Sequence, residues 1–349
     1  MVNDRFPSTL IHMSAAVSFA LALSACKKDD PSSPSPVPDG LTNNGWTRNS
    51  NTGENFQLGS GPTSLFGIVT EIEGGVVVPP TAYTATLLSS SNMGDTWTTT
   101  PLMSGAIATD EFALFGAPRF VDDQVGFCTL SHGSIWSPTS TIYRTPDGGQ
   151  SWSALGGSSG SFARVGMTSR LFRYDGTLTY VSQNLGITWV PTDPALGHIA
   201  SMVFTDDEHG SATGDQGILT TSDGGLSWQT MSNESYTVIS HADPLIGVAT
   251  RGPLSGPGEL LRTTDGWVTS TLVQLPEEVG TPVSILLDGN GPLYACQEER
   301  LYISMDLGDT WSLDLEMTSD HNIRWVRRVG DHLVVATGSS SWARKLAPL

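Results

Sequence analysis

The chain has 349 residues, with 38 Gly, 21 Pro and 10 Trp, and only 15% of it is charged. Seventeen basic residues against 35 acidic ones leave a net charge of −18, a surface that repels phosphate backbones and excludes general nucleic-acid binding. No long Ala/Glu/Lys/Leu helical pattern is present, so the glycine, serine, threonine and tryptophan content points to many short strands and turns, in a chain long enough to bury a core without a disulfide or metal staple.

Residues 10–25 form an apolar run that ends at Cys26. The run is short for a membrane span and reads as the core of a signal peptide. Leu23-Ser24-Ala25-Cys26 resembles the lipobox of bacterial lipoproteins, in which the signal is cleaved before the cysteine and the cysteine is lipidated. That resemblance implies a signal peptide over residues 1–25, lipidation at Cys26, export, and anchoring in the cell envelope at the outer membrane or cell surface. Residues 26–40 follow as Cys-Lys-Lys-Asp-Asp-Pro-Ser-Ser-Pro-Ser-Pro-Val-Pro-Asp-Gly, an extended spacer that cannot pack a core.

Beyond residue 41 one eight-residue pattern recurs. Ser90 to Trp97 carries Asn92 and Trp97, and Thr145 to Trp152 carries Asp147 and Trp152. Ser182 to Trp189 carries Asn184 and Trp189, Thr221 to Trp228 carries Asp223 and Trp228, and Ser304 to Trp311 carries Asp306 and Trp311. A degenerate copy, Thr263-Thr264-Asp265-Gly266-Trp267, lacks the second glycine. The third position of the pattern advances by 55, 37, 39, 42 and 41 residues, from Asn92 to Asp306. Four short strands with their turns need about 40 to 50 residues, and the longer first interval places an insertion around Ser134 to Ser140. The acid or amide caps backbone N–H groups of a tight turn, the glycine takes a positive φ, and the tryptophan anchors the hairpin.

The pattern S/T-x-D/N-x-G-x-S/T-W resembles the Asp-box, or BNR repeat, of β-propellers. The resemblance implies an all-β propeller over residues 41–349 whose boxes are structural rather than catalytic. Six boxes mark six blades of four antiparallel strands. A seventh comes from the ends, with Ile323 to Val329, His332 to Thr337 and Ser341 to Leu346 completed by Gly45-Trp46-Thr47-Arg48, so that the N-terminal strand closes the ring. A second unit, Phe120-Val121-Asp122-Asp123-Gln124-Val125-Gly126, recurs as Phe204-Thr205-Asp206-Asp207-Glu208-His209-Gly210 and continues through Gly214-Asp215-Gln216-Gly217-Ile218-Leu219. Together these units resemble the Ycf48-like photosystem II assembly factors. The resemblance implies a seven-bladed, non-catalytic binding or assembly platform, here a lipid-tethered monomer for a protein or carbohydrate ligand.

Chemical motifs are sparse. Gly156-Gly157-Ser158-Ser159-Gly160 fits G-x-S-x-G but has no strand–turn–helix context. The seven histidines show no metal-ligand spacing, so no metal and no cofactor is expected. Cys128 and Cys296 lie in apolar strands, on the second strands of distant blades, and are expected to remain free thiols. The alternative function is a sialidase or other glycoside hydrolase on the same fold, which needs converging arginines and a Tyr–Glu pair. Arg119, Arg164 and Arg327 or Arg328 fall on segments that read as innermost strands, so these four are the candidate ligand-binding residues. The sialidase Arg-Ile-Pro motif is absent, and the sequence pairs no tyrosine with Glu71 or Glu73, although Tyr236 is present.

Overall fold

The computed structural model describes residues 45–49, 56–73, 81–108, 111–134, 139–155, 163–165, 170–174, 178–192, 196, 199–252, 258–276, 282–289, 291–317, 322–337 and 340–346. The expected signal peptide and spacer, Cys26 between them, and the Gly156–Gly160 motif lie outside the described residues.

The described chain is all-β and built from antiparallel sheets that follow one another in sequence. The first sheet holds Phe56–Ser60, Leu65–Glu73, Ala82–Ser90 and Thr98–Ala106. In the second, an inner strand broken at Gly116 to Pro118 (Glu111–Phe115, then Arg119–Phe120) pairs with Gly126–Ser134, followed by Thr139–Thr145 and Ser153–Ala154. A single parallel pair, Ser60 with Arg119, joins these two sheets. The third sheet is Ala163–Val165, Leu171–Tyr174, Thr179–Ser182 and Val190–Pro191. The fourth is Ile199–Phe204, Gly210–Gly214, Gly217–Thr221 and Gln229–Ser232. Val238–His241, Gly247–Arg251, Glu259–Thr263 and Thr271–Val273 make the fifth. Ser284–Leu287, Leu293–Gln297, Arg300–Ser304 and Ser312–Glu316 make the sixth.

The closing sheet combines both ends of the chain. Trp325–Val329, His332–Ala336 and Ser341–Lys345 are completed by Thr47–Asn49, which pairs antiparallel with Ser341–Ala343. The N-terminal strand therefore stands where an outer strand stands in the other sheets.

Burial runs almost unbroken along the second strands, as over Gly210–Gly214, Gly247–Arg251, Leu293–Gln297 and His332–Ala336, so each sheet buries both faces between its neighbours. Phe66, Ile68 and Leu87 of the first sheet pack with Phe115, Phe120 and Leu130 of the second. Phe172 and Val181 of the third meet Phe204, Leu219 and Trp228 of the fourth. Tyr294 and Leu301 of the sixth meet Val326 and Trp342 of the closing sheet. The last seam returns to the start, with Val329 and Val334 against Phe56, Leu58 and Leu65. Each sheet thus packs on the next, and the closing sheet packs on the first.

In the long first interval between boxes, residues 135–138 of the expected insertion lie outside the described residues. The described extra residues of that interval lengthen strands: Thr98–Ala106 and Gly126–Ser134 have nine residues each, where most strands of later sheets have four or five. Tyr83 and Phe115, with ring centroids 6.1 Å apart, extend the core into that taller region. Cys128 and Cys296 are buried free thiols on the second strands of their sheets. Burial pushes the Cys128 thiol far up and the Cys296 thiol up to about 12, so both are inert neutral groups at physiological pH.

Candidate functional site

The boxes fold as their residues dictate. In each, the first-position hydroxyl is buried and donates to the acid or amide at the third position, as Thr145 to Asp147 (2.8 Å) and Thr221 to Asp223 (2.9 Å). The same hydroxyl accepts the N–H of the fifth residue, at 2.7 to 2.9 Å in all six boxes. The third-position oxygen accepts the N–H of the seventh residue. Fourth and fifth positions both have positive φ, which the sequence pattern showed only for the fifth; Met93, Leu185 and Leu307 adopt it without being glycine. Trp152 and Trp228 donate their indole N–H to the carbonyls of Gly149 and Gly225. The box acids are saturated by their own turns.

That wiring sets an acid limit. Hydrogen bonds from Thr310 and Ser304 hold the Asp306 carboxyl at about 2. Because its folded pKa lies below the unfolded one, its contribution is complete above about pH 4 and is lost as pH falls toward 2. Asp306→Asn is expected to leave stability near neutrality little changed and to flatten the loss over that window, read from denaturant midpoints across pH. Asn92 and Asn184 already fill this place in two boxes, each donating through Nδ2 to the seventh-position threonine.

Asp122 and Asp206 cap the turns after the inner strands, as Asp206 does with the N–H groups of Glu208 and His209. Each such turn then docks a box: Gly148 N–H donates to Gln124 O, and Gly224 N–H to Glu208 O. The fifth sheet has a third copy hidden from the sequence pattern because histidine replaces phenylalanine. His241-Ala242-Asp243-Pro244-Leu245-Ile246-Gly247 has Asp243 on the N–H groups of Leu245 and Ile246, and Gly266 N–H on Leu245 O.

The innermost strands of neighbouring sheets meet. Besides the Ser60–Arg119 pair, Leu287 N–H donates to Ser240 Oγ (2.9 Å) and Val326 N–H to Ser284 Oγ (3.3 Å). Each inner strand ends at a turn, and its last antiparallel pair involves Ser60, Phe120, Val165, Phe204, His241, Leu287 or Val329. One residue earlier the strands read Gly59, Arg119, Arg164, Val203, Ser240, Leu286 and Arg328. Three of the four sequence-derived arginines therefore take the same position in their inner strands, on the closing, second and third sheets, and that position is uncharged in the other four. Gly59 lies between Arg328 and Arg119. A Cβ there would come within 1.7 Å of the Pro118 carbonyl oxygen, so only glycine admits this approach of two inner strands.

The arginines differ in what holds them. Arg328 is committed to Asp288 at 3.1 Å and to the Gly330 carbonyl. Arg327 points from the neighbouring register and lies 4.7 Å from the Trp325 ring centroid. Arg164 pairs through its backbone with Phe172. The Arg119 side chain reaches solvent, yet protein encloses it closely enough that desolvation alone pushes its pKa down to about 10. Among the described residues nothing bonds or ion-pairs to its guanidinium. This exposed guanidinium is open to an incoming anion, with which it can form a charge-assisted pair. Arg324, just before the closing sheet's inner strand, is a second guanidinium lowered by desolvation, which sequence reasoning did not select.

The structure does pair a tyrosine with a glutamate: Tyr236 OH donates to Glu234 at 3.4 Å. Tyr236 is buried, and Glu234 also ion-pairs with Arg251, which in turn holds Glu259. This cluster sits on the fifth sheet and the segment leading into it, whereas Arg119 lies on the second. Among the described residues no group of three His, Cys, Asp or Glu side chains could hold a metal ion.

No family model matches the chain, and no curated protein matches it either. Among solved structures it is similar to YCF48 bound to D1 peptide, with 15% identity and a TM-score of 0.59 over 90% of this chain and 98% of that one. The extracellular domain of the two-component-type system BT4673 from B. thetaiotaomicron matches with 11% identity and a TM-score of 0.55, over 87% of this chain and 40% of that one. A chain of the mitotic checkpoint complex matches at 10% identity and a TM-score of 0.55, over 93% of this chain and 99% of that one. At these identities the likeness carries the fold alone, and the fold is a β-propeller.

Proposed function

We propose that the protein is a seven-bladed propeller serving as an exported, lipid-anchored, non-catalytic platform that binds an acidic segment of a partner at the inner-strand arginines. The observation that carries this reading is the matching inner-strand position of Arg328, Arg119 and Arg164, each one residue before its strand's last pair, with no partner to the Arg119 guanidinium among the described residues. The seven successive sheets, with the closing sheet packed back on the first, support the blade count. Peptide binding by the YCF48 structure extends to this chain as part of the proposal, with the peptide's sequence left open.

Binding of a fluorescent Asp/Glu-rich synthetic peptide at low salt tests it. A charge-assisted pair contributes about 1.5–3 kcal/mol, so Arg119→Ala is expected to weaken binding by about tenfold or more while leaving the thermal midpoint unchanged. Arg328→Ala is expected to do less for binding, since Asp288 already occupies that guanidinium. No binding by the unaltered protein, or turnover of a sialoside reporter that Arg119→Ala abolishes, overturns the platform reading, the latter in favour of the hydrolase.

The anchor is tested separately. The mature protein is expected to partition with membranes, and Cys26→Ser is expected to release it or leave the precursor uncleaved. Normal cleavage with unchanged membrane association in that variant removes lipidation from the proposal.

A further inference from the structure

The fifth box departs from the other five in one respect that its neighbours make consequential. Elsewhere the fifth position is glycine, and a Cβ there would collide with the preceding sheet: 2.1 Å from Leu87 at Gly149, 2.5 Å from Phe172 at Gly225, 2.4 Å from Val273 at Gly308. In the fifth sheet Trp267 occupies that position at φ 72°, buried among Ile218 of the fourth sheet and Tyr236, Ile239 and Leu261 of its own. A side chain thus enters the seam where the other boxes allow none. A cleft of about 480 Å³ opens beside it at the rim, walled by His209, Ser227 and Trp228 on one side and His241, Leu245 and Asp265 on the other.

His241 stands where Phe120 and Phe204 stand in their sheets, with its ring over Gly247 as theirs lie over Gly126 and Gly210. Both imidazole nitrogens are engaged. The ring faces a carbonyl at Nδ1, that of Asp243 at 3.0 Å, so Nδ1 carries the proton and donates. The indole Nε1–H of Trp267 donates to Nε2 at 2.9 Å, so Nε2 must be bare. A second proton on this imidazole has nowhere to go but Nε2, and placing it there turns an acceptor into a donor facing another donor.

We propose that His241 and Trp267 form an acid-released latch within the fifth sheet that holds the Trp267 ring in the seam against the fourth, closed while His241 is neutral and opened by one proton. Burial holds the His241 pKa below its ordinary value, and the indole donor at Nε2 acts in the same direction, while the Asp243 carbonyl and carboxylate pull the other way without reversing it. The charged groups around it do not reverse this. Asp243 is the one carboxylate of its own turn, and its Oδ1 is occupied by the N–H groups of Leu245 and Ile246. Asp265 across the cleft is bound into its box by Thr263 and Thr269, and on the fourth sheet Asp206 is paired with His209. Since the folded pKa is below the unfolded value of about 6.5, the latch contributes fully above that pH. Its contribution falls away as pH drops below 6.5 toward the depressed folded value. This device is independent of the inner-strand arginines and of the partner reading built on them.

The test is an NMR titration of the intact folded protein from about pH 7.5 to about pH 4.5, a range that spans the ordinary histidine pKa. The Trp267 indole N–H resonance and the His241 imidazole resonances are expected to shift together with one midpoint below 6.5. Amide exchange within residues 236–250 and 263–270 is expected to accelerate over the same range. His241→Phe restores the residue type of the second and fourth sheets and should fold, with the Trp267 transition gone. His241→Gln keeps an acceptor for the indole and removes the titration, guarding against a folding defect in the first variant. A Trp267 resonance that does not move while His241 titrates, or a transition that persists in both variants, overturns the latch.

Discussion

Asp314→Ala is expected to lower the unfolding free energy by about 3–5 kcal/mol, the cost of stranding one partner of a buried ion pair. Asp314 lies on the outer strand of the sixth sheet and is 4% exposed. Its Oδ1 accepts from Arg344 at 2.6 Å, and its Oδ2 accepts the Trp46 indole N–H at 3.3 Å. The Arg344 guanidinium also lies 4.8 Å from the Trp46 ring centroid and donates to the Tyr294 hydroxyl. Trp46 immediately precedes Thr47–Asn49 and Arg344 belongs to Ser341–Lys345, so one carboxylate fastens the two strands that close the ring. Without it, Arg344 keeps its charge in a largely dry site and Trp46 loses its polar tether. Denaturant unfolding should show the shift in midpoint. Limited proteolysis should show the first new cut at the N-terminal strand, because Thr47–Asn49 holds by three residue pairs. Replacing both Asp314 and Arg344 by leucine should recover most of the loss, since an apolar pair of similar volume removes the stranded charge. A double variant as unstable as Asp314→Ala would assign the effect to packing instead.

That Asp314 closure was only half legible in the sequence. The match of Gly45-Trp46-Thr47-Arg48 to a post-box strand placed the N-terminal strand in the closing sheet, because hairpin order and strand pattern are local properties. Asp314 is 268 residues from Trp46, and no spacing rule connects them. The same division runs through the candidate site. Assignment of Arg119, Arg164, Arg327 and Arg328 to inner strands followed from counting strands back from each box. Their matching position depends on register, which the turn lengths fix and the sequence leaves open. Arg327 and Arg328 looked equivalent in sequence, yet adjacent strand residues point to opposite faces, and one stacks on Trp325 while the other pairs with Asp288. The hidden copy at His241 escaped because the pattern asked for an aromatic hydrocarbon, where the structure needs only a flat ring over Gly247.

The boxes make a sharper claim about which of their residues matters most. Asp223→Ala and Asp147→Ala are expected to lower stability by loosening their turns, but the half-buried carboxylates leave behind N–H groups of the exposed Ser227 and Ser151, which water reaches. Thr221→Val is expected to cost more, about 1–3 kcal/mol, although it removes no charge and almost no volume. The Thr221 hydroxyl is buried, accepts the N–H of Gly225 at 2.9 Å and donates to Asp223. Valine keeps the shape and deletes the acceptor, so the Gly225 N–H is left unpaired in a place water does not enter. The Gly225 carbonyl in turn accepts the Trp228 indole N–H at 3.0 Å, and Trp228 packs edge-on against Phe172 and Phe204 at 6.2 and 6.0 Å. Loss of the hydroxyl therefore propagates from turn to tryptophan to the seam between the third and fourth sheets. Denaturant midpoints and the Trp228 indole resonance read both ends of that chain. Thr221→Ser, which keeps the acceptor and loses a methyl group, should retain most of the stability and the indole shift. If valine proves milder than Asp223→Ala, the carboxylate rather than the buried hydroxyl is what holds the Asp-box turn.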